Sequence, residues 1–568
     1  MLSHLIRHIT SQQPAILLIA LIFLVAPFYY HDNIGGTGLN LPSNITVWVA
    51  ACLFIWFALK QVLDRNTLIL PKRVFMILAF PILATLSGFI SGVSEPLDWV
   101  FRLVFIWGGV FFLIALFQFN FSRAQKDKLL YLIVMAGLLH AVAASLQIFQ
   151  PEGMSIFLPK APSNVATGVF QQINIHATFQ ATVLLLCWYL SLRPIVRRST
   201  LLKGGVYLTV LLATFIVMTS GSRVGVISMF IGLVLLTGLY WKPIRAYKKT
   251  VLLLVVLMLM ASFGSVFSDG FGRFVDKSAE VHTEYKSSER IGIYRIAAEL
   301  VEQKPFFGHG LGSFEAVWQY QKADFQLRHS DYELIQNYVT HPHNELLFWQ
   351  VEAGTLASVG ILLSFLAILL TAWKSKAKYA IAFLFPFAFH NQVELPFHLS
   401  ATAWFSTLLM IFIALSHNKK LAYQSFLSPA MTSTLSLLSY LAMVLLGVFF
   451  FHAAIANYQL ELATKSDNRA NLGIALINPY FTKIAEDFRM QAVFNQSNHE
   501  RNVAGMRFFN NWQQDEIKNR PTFFNYKMLI ASYQNLQNRE KACASAEQAF
   551  AMYKQNEEFK FYVDACQK

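Results

Sequence analysis

The chain has 568 residues, of which 55% are apolar and only 14% charged, with a formal net charge of +14. This excludes a soluble globular protein of that length, whose water-facing surface needs about a quarter of its residues charged. The excess base lies in short loops between apolar runs, so no nucleic-acid partner is needed to account for it.

The apolar runs are about 20 residues long, the span needed to cross roughly 30 Å of hydrocarbon. They predict an all-α, polytopic membrane helix bundle. Helices are expected near 13–30, 44–63, 73–92, 98–118, 128–149, 174–192, 201–219, 223–241 and 250–267, then near 345–373, 379–394, 398–416 and 433–453, thirteen in all. The run at 14–30 lacks a small-residue cleavage site and is followed by further spans, so it reads as a retained helix.

Loop charge sets the orientation. Lys60, Arg65, Lys72 and Arg73 share one loop, and Arg123, Lys126 and Lys128 the next but one. Arg193, Arg197, Arg198 and Lys203 follow, then Lys242, Arg245, Lys248 and Lys249, then Lys374, Lys376 and Lys378, then Lys419 and Lys420. The intervening loops 31–43 and 93–97 hold no Lys or Arg, and 150–173 holds only Lys160. Basic loops stay in the cytoplasm, which puts the N-terminus inside and, after thirteen spans, the C-terminus outside. The chain then divides into an N-terminal transmembrane bundle (1–267), a large outer loop (268–344), a C-terminal transmembrane bundle (345–453) and an exported tail (454–568).

Polar residues at the outer ends of the spans are the functional candidates, because such groups are costly there unless they bind or react. Arg102 lies just inside the fourth span. Gly168-Val169-Phe170-Gln171-Gln172-Ile173-Asn174 opens the sixth, where the amides of Gln172 and Asn174 either cap the helix or hydrogen-bond a headgroup or sugar. Thr219-Ser220-Gly221-Ser222-Arg223 joins the seventh span to the eighth so tightly that Arg223 sits at the outer interface. Its planar fork either binds phosphate oxygens, or snorkels, or pairs with a carboxylate such as Glu394. Arg290 and Arg295 lie on an amphipathic segment, Ser287 to Arg295, either solvated or paired with Glu299. Gly308-His309-Gly310-Leu311-Gly312 lacks the strand, helix and Lys-Ser/Thr of a nucleotide loop and reads as a tight turn.

His341-Pro342-His343-Asn344-Glu345 packs two imidazoles, an amide and a carboxylate directly before the apolar run Leu346 to Trp373. Imidazole changes charge near neutral pH and can accept a proton from an attacking hydroxyl. Pro342 fixes the backbone and Asn344 is placed to orient a ring nitrogen. His390-Asn391-Gln392-Val393-Glu394-Leu395-Pro396 ends the eleventh span, with Pro396 breaking the helix. In the tail, Met528, Leu529, Tyr533 and Leu536, then Ala542, Ala546, Ala549 and Phe550, trace a helical hairpin of the tetratricopeptide kind, either a cap on the membrane body or a protein-docking surface. Cys52 and Cys187 lie in membrane runs as small apolar residues, whereas Cys543 and Cys566 share the exported tail and are expected to pair.

Outer-face arginines beside a His base describe transfer from a diphosphate-linked lipid. At these residues the chain resembles a known family. His341-Pro342-His343-Asn344-Glu345-Leu346-Leu347-Phe348-Trp349, followed by Glu352-Ala353-Gly354, resembles the signature of the O-antigen ligase/polymerase (Wzy-C) superfamily. More closely it resembles the bacterial protein O-oligosaccharyltransferases of the PglL type. Gly168-Val169-Phe170 with Gln172 and Asn174 is similar to the motif of the protein-glycosylating branch. Ser220-Gly221-Ser222-Arg223 and Arg290 match the superfamily's two arginines, and Pro305 to Gly312 the segment after the second. One departure is that the family often carries a Tyr beside the Glu-x-Pro motif, whereas Leu395 and His398 flank that place here.

The resemblance implies an enzyme of the bacterial inner membrane with its site facing the periplasm. It would transfer an oligosaccharide en bloc from undecaprenyl diphosphate to a Ser or Thr hydroxyl of an exported, pilin-like protein, inverting the anomeric centre without metal or other cofactor. By position, Arg223 and Arg290 would bind the diphosphate and His343 would activate the acceptor. Gln172, Asn174, His341, Asn344, Glu394 and Arg102 would support them. An O-antigen ligase acting on lipid A-core is the rival, disfavoured by the Gln172 motif and the exported helical tail. A lipid-linked glycan transporter is disfavoured because the candidate residues cluster on one face rather than along a route across the bilayer.

Overall fold

The computed structural model describes residues 12–149, 166–267, 284–329, 337–417, 420–424, 428–465 and 472–567, with Pro159, Gly272 and Leu334. The expected inner N-terminus (1–11), Lys160 and most of 268–283 lie outside the described residues. The chain is all-α and polytopic, and each expected apolar segment coincides with a helix. These are α1 (Gln12–Phe28), α2 (Pro42–Arg65), α3 (Ala79–Ser91), α4 (Pro96–Phe117), α5 (Arg123–Ile148), α6 (Ile173–Ser191), α7 (Thr200–Thr219), α8 (Arg223–Leu239) and α9 (Lys248–Ser265). After α10 (Glu284–Gln303) and α11 (Phe314–Arg328) come α12 (Glu345–Trp373), α13 (Ala380–His390), α14 (Ala401–Leu415) and α15 (Pro429–Lys465). Among the described residues, eight helices are long and apolar enough to cross a membrane, and five apolar helices are shorter, at 10–17 residues.

Met1–Leu78, Phe105–Ala279 and Leu363–Glu461 form one compact unit, and Ala79–Val104, Glu280–Leu362 and Leu462–Lys568 a second. In the first unit α6 is buried almost throughout, enclosed by α5, α7, α8 and α13. Lipid gives helices no hydrophobic reason to associate, so close packing at small residues does it. A Cβ at Gly225 of α8 would stand 2.5 Å from that of Ala177, and one at Gly232 2.7 Å from Leu185. At the other end of α6, Arg193 donates to Asp127 at 2.8 Å, and the Tyr189 hydroxyl lies 3.1 Å from Asp127 and 3.0 Å from the Tyr379 hydroxyl.

The bundle departs from the helical expectation at one place among the described residues. Strand β1 (Thr67–Pro71) pairs antiparallel with β2 (Lys420–Gln424), from Thr67 opposite Gln424 to Pro71 opposite Lys420. Buried backbone groups in a loop need partners, and β2 supplies one edge of β1. The Gln118 amide supplies the other, accepting from the Ile69 N–H at 3.1 Å and donating to its carbonyl at 2.8 Å. The span expected from residue 73 consequently begins at Ala79, after a short helical turn Val74–Ile77.

In the second unit the tail continues as α16 (Thr482–His499), α17 (Val503–Asn519), α18 (Phe523–Asn535), α19 (Arg539–Met552) and α20 (Glu557–Gln567), each packed on the next. The helical hairpin expected at 526–553 is α18 and α19, capped by Thr522 and Asn538, whose side chains accept from the N–H groups of Asn525 and Lys541. Tyr526, Ile530, Ala546, Ala549 and Phe559 form its core, with Tyr320 and Ala323 of α11 packed against it. Cys543 of α19 and Cys566 of α20 are joined as a disulfide, their Cα atoms 5.7 Å apart.

Candidate active site

Gln172, Asn174, Arg223 and Glu394 belong to the first unit, and Arg102, Arg290, His341, His343 and Asn344 to the second. In the first, Gly221 takes φ 67°, a left-handed value open to glycine, and turns the chain from α7 into α8. Ser222 caps α8 by accepting the Gly225 N–H at 3.3 Å, and its hydroxyl donates to the Asn174 carboxamide oxygen at 2.8 Å. Asn174 is thereby held beside the turn that presents Arg223, whose side chain is exposed at the first residue of α8.

Gln172 is a helix cap: its carboxamide oxygen accepts the Ile175 N–H at 2.8 Å. Gly168 has φ 57° and is gripped by Gln147, which accepts its N–H at 2.8 Å and donates to its carbonyl at 3.2 Å. A side chain there would press on the His176 ring, whose nearest atom lies 3.2 Å from the Cβ position. The glycine of this motif is therefore explained by packing. Glu394 is buried in the turn between α13 and Pro396, accepting the Leu395 N–H at 3.3 Å.

In the second unit His343 has φ 52°, a value uncommon for a residue with a side chain. Its N–H donates to His341 Nδ1 at 3.2 Å, and the two rings meet edge to face, 4.4 Å apart at 72°. The Asn344 carboxamide oxygen accepts the Leu347 N–H at 2.9 Å and caps α12. Glu345 accepts from the Trp349 indole at 2.8 Å.

Two turns into α12, Glu352 is a junction that sequence reading missed. Its carboxylate accepts from Arg102 at 2.6 Å and from the Phe314 N–H at 3.1 Å, and its carbonyl from the Gly310 N–H at 2.9 Å. Arg102 also pairs with Asp98 at 2.8 Å, so its guanidinium bridges two carboxylates and supports the fold. Breaking a buried pair strands the remaining charge, at about 3–5 kcal/mol.

The glycine-rich segment is the tight turn expected of it, with φ 70°, 108° and 78° at Gly308, Gly310 and Gly312. It runs between the start of α4 and α12: the Leu311 N–H donates to Gly92 at 3.1 Å, the Ser94 N–H to Leu311 at 2.9 Å, and the His309 N–H to Val351 at 2.8 Å. Gly354 kinks α12 at φ 67° and ψ −164°, and a Cβ there would meet the Phe306 carbonyl at 2.3 Å. His309 is structural, its Nε2 2.8 Å from the Leu300 carbonyl, with burial holding the ring below its usual range.

Arg290 is exposed on α10, whose other face buries Ile293, Ile296, Ala297 and Leu300. Glu299 takes Arg328 at 2.6 Å and Gln321 at 2.7 Å, which ties α10 to α11. Glu315 of α11 accepts from the Tyr338 hydroxyl at 2.8 Å, anchoring the segment that leads into the His motif, while burial pushes its carboxyl up. Lys322 of α11 is enclosed on a face that also buries Trp318, Gln319, Phe325 and Gln326, and nothing in the sequence singles it out.

Residues 208–363 match the family model of O-antigen ligases, and residues 378–565 match that of the C-terminal part of virulence-factor membrane-bound polymerases. No curated protein matches the chain. The two family segments together cover well over half of the sequence, and the first contains the Arg223 turn, Arg290, the His motif and the Glu352 junction. The chain belongs to the O-antigen ligase (Wzy-C) superfamily, membrane enzymes that join glycans.

Proposed function

We propose that the chain catalyses O-linked protein glycosylation, moving an oligosaccharide en bloc from undecaprenyl diphosphate to a Ser or Thr hydroxyl of an exported, pilin-like protein at the periplasmic face of the inner membrane. In this reading His343 takes the hydroxyl proton as the oxygen attacks the anomeric carbon. The bond from that carbon to the diphosphate oxygen breaks on the opposite face, inverting the centre. Undecaprenyl diphosphate leaves with its charge held by Arg223 and Arg290. The observation that carries the reading is one family segment, residues 208–363, holding both arginines and the histidine. His343 at φ 52° supports the reading, because strained backbone gathers at functional sites.

The test is intact-mass spectrometry of exported proteins from cells with and without the chain. A glycan-sized mass on a pilin supports the reading; changed lipopolysaccharide with unmodified exported proteins selects transfer to lipid A-core instead. Arg223→Ala and Arg290→Ala are each expected to weaken binding of the lipid-diphosphate donor by about tenfold or more, because each removes a charge-assisted hydrogen bond of about 1.5–3 kcal/mol. Native mass spectrometry of the detergent-solubilised enzyme with donor reads this out, and an unchanged affinity takes that arginine out of the site.

A further inference from the structure

Two histidines two residues apart raise the question of which exchanges a proton. The backbone separates their tasks. His341 Nδ1 accepts the N–H of the residue two positions on, at 3.2 Å, across Pro342. Asn and Asp side chains build turns in this way, their oxygen standing in for a backbone carbonyl. Proline in the middle and a positive φ at the next residue is the pattern of a type II turn, whose third position favours Gly or Asn. Here that position is His343 at φ 52°. A side chain so placed needs its surroundings to hold it, and three features do: the His341 acceptor, the fixed φ of Pro342, and the Asn344 cap at 2.9 Å that starts α12. An Nδ1 that accepts a backbone N–H carries no proton, so neutral His341 is protonated at Nε2.

We propose that His341 is a positioning residue whose Nδ1 holds the His343 backbone in a left-handed turn and so aims the His343 ring. This rests on His343 being the base in the reading above. The hydrogen bond, rather than the ring or its titration, is what residue 341 contributes.

Two variants separate these. His341→Asn keeps an acceptor at the same reach and has no titratable group. His341→Phe keeps the ring that meets His343 edge to face and has no acceptor. Transfer from lipid-linked donor to acceptor peptide is measured in full-length enzyme, with melting temperature checking the fold and His343→Ala as reference. His341→Asn is expected to keep a kcat close to wild type. His341→Phe is expected to lose kcat on the order of 10²-fold, as misplaced catalytic groups do, with the donor KM unchanged.

A folded but inactive Asn variant overturns the proposal and assigns His341 to proton transfer. A Phe variant as active as wild type overturns it as well, since the hydrogen bond then does nothing. The underlying reading fails differently, by transfer persisting in His343→Ala. If that reference is inactive and Asn and Phe do not separate, only the positioning role has failed.

Discussion

His343→Ala is expected to abolish glycan transfer while leaving donor affinity and the melting temperature nearly unchanged. A positioned general base contributes about 10²–10⁴-fold, so residual turnover should fall to the floor of a transfer assay. The backbone dictates the control. At φ 52° an alanine carries strain that an asparagine tolerates better, so His343→Asn keeps the turn and removes the base. Both variants inactive, both folded and both binding donor is the expected set. Transfer retained by either one sinks the base assignment and leaves the histidine as a shape element at the start of α12.

Lys322→Met is expected to raise the melting temperature by several degrees, and by more at pH 7 than at pH 10. Lys322 is 0% exposed, and its ammonium finds no hydrogen-bond partner among the described residues. It faces the rings of Tyr553 at 5.1 Å and Trp318 at 5.8 Å. Burial alone pushes its amine down to about 7 from an ordinary 10.5. Between those values the unfolded chain binds a proton that the folded chain lacks, so stability rises with pH across the window and is lowest below its acid end. The span corresponds to on the order of 4–5 kcal/mol. Methionine fills the same space without a charge, so the variant should lose this pH dependence. Melting curves of both proteins from pH 6 to 10 decide it; parallel curves would mean that the amine is solvated or paired in solution.

The contrast between those residues marks how far the sequence could be read. His343 was legible because four polar residues within a run of five stand at the mouth of an apolar run, a pattern visible within a short window. Lys322 was not, since a lysine on an amphipathic helix looks solvated until another element covers it, and here the tail core covers α11. Cys543 and Cys566 are the two cysteines outside the apolar runs, which made them the expected pair, and they are joined. Arg102 is a candidate by its place in the fourth span, whereas its partner Glu352, 250 residues away, is visible only in the fold. The amides of Gln172 and Asn174 are each open to a binding and a capping role in the sequence; the fold gives the Gln172 oxygen to the N-terminus of α6 and the Asn174 oxygen to the Ser222 hydroxyl.

The sequence by itself determined what depends on neighbours along the chain: thirteen apolar helices, the alternation of basic and base-poor loops, a helical hairpin in the tail and the His motif that carries the family likeness. Hydropathy and turn chemistry act over a few residues, so they survive without the fold. Only the tertiary structure decided which polar groups meet. It joins Glu352 to Arg102 and the Phe314 N–H, Asn174 to Ser222, and β1 to β2. It also gives His341 the N–H of His343. Leaving a buried donor or acceptor unsatisfied is costly, so most take a partner that the fold brings within about 3 Å, and for most of these groups that partner is distant in sequence.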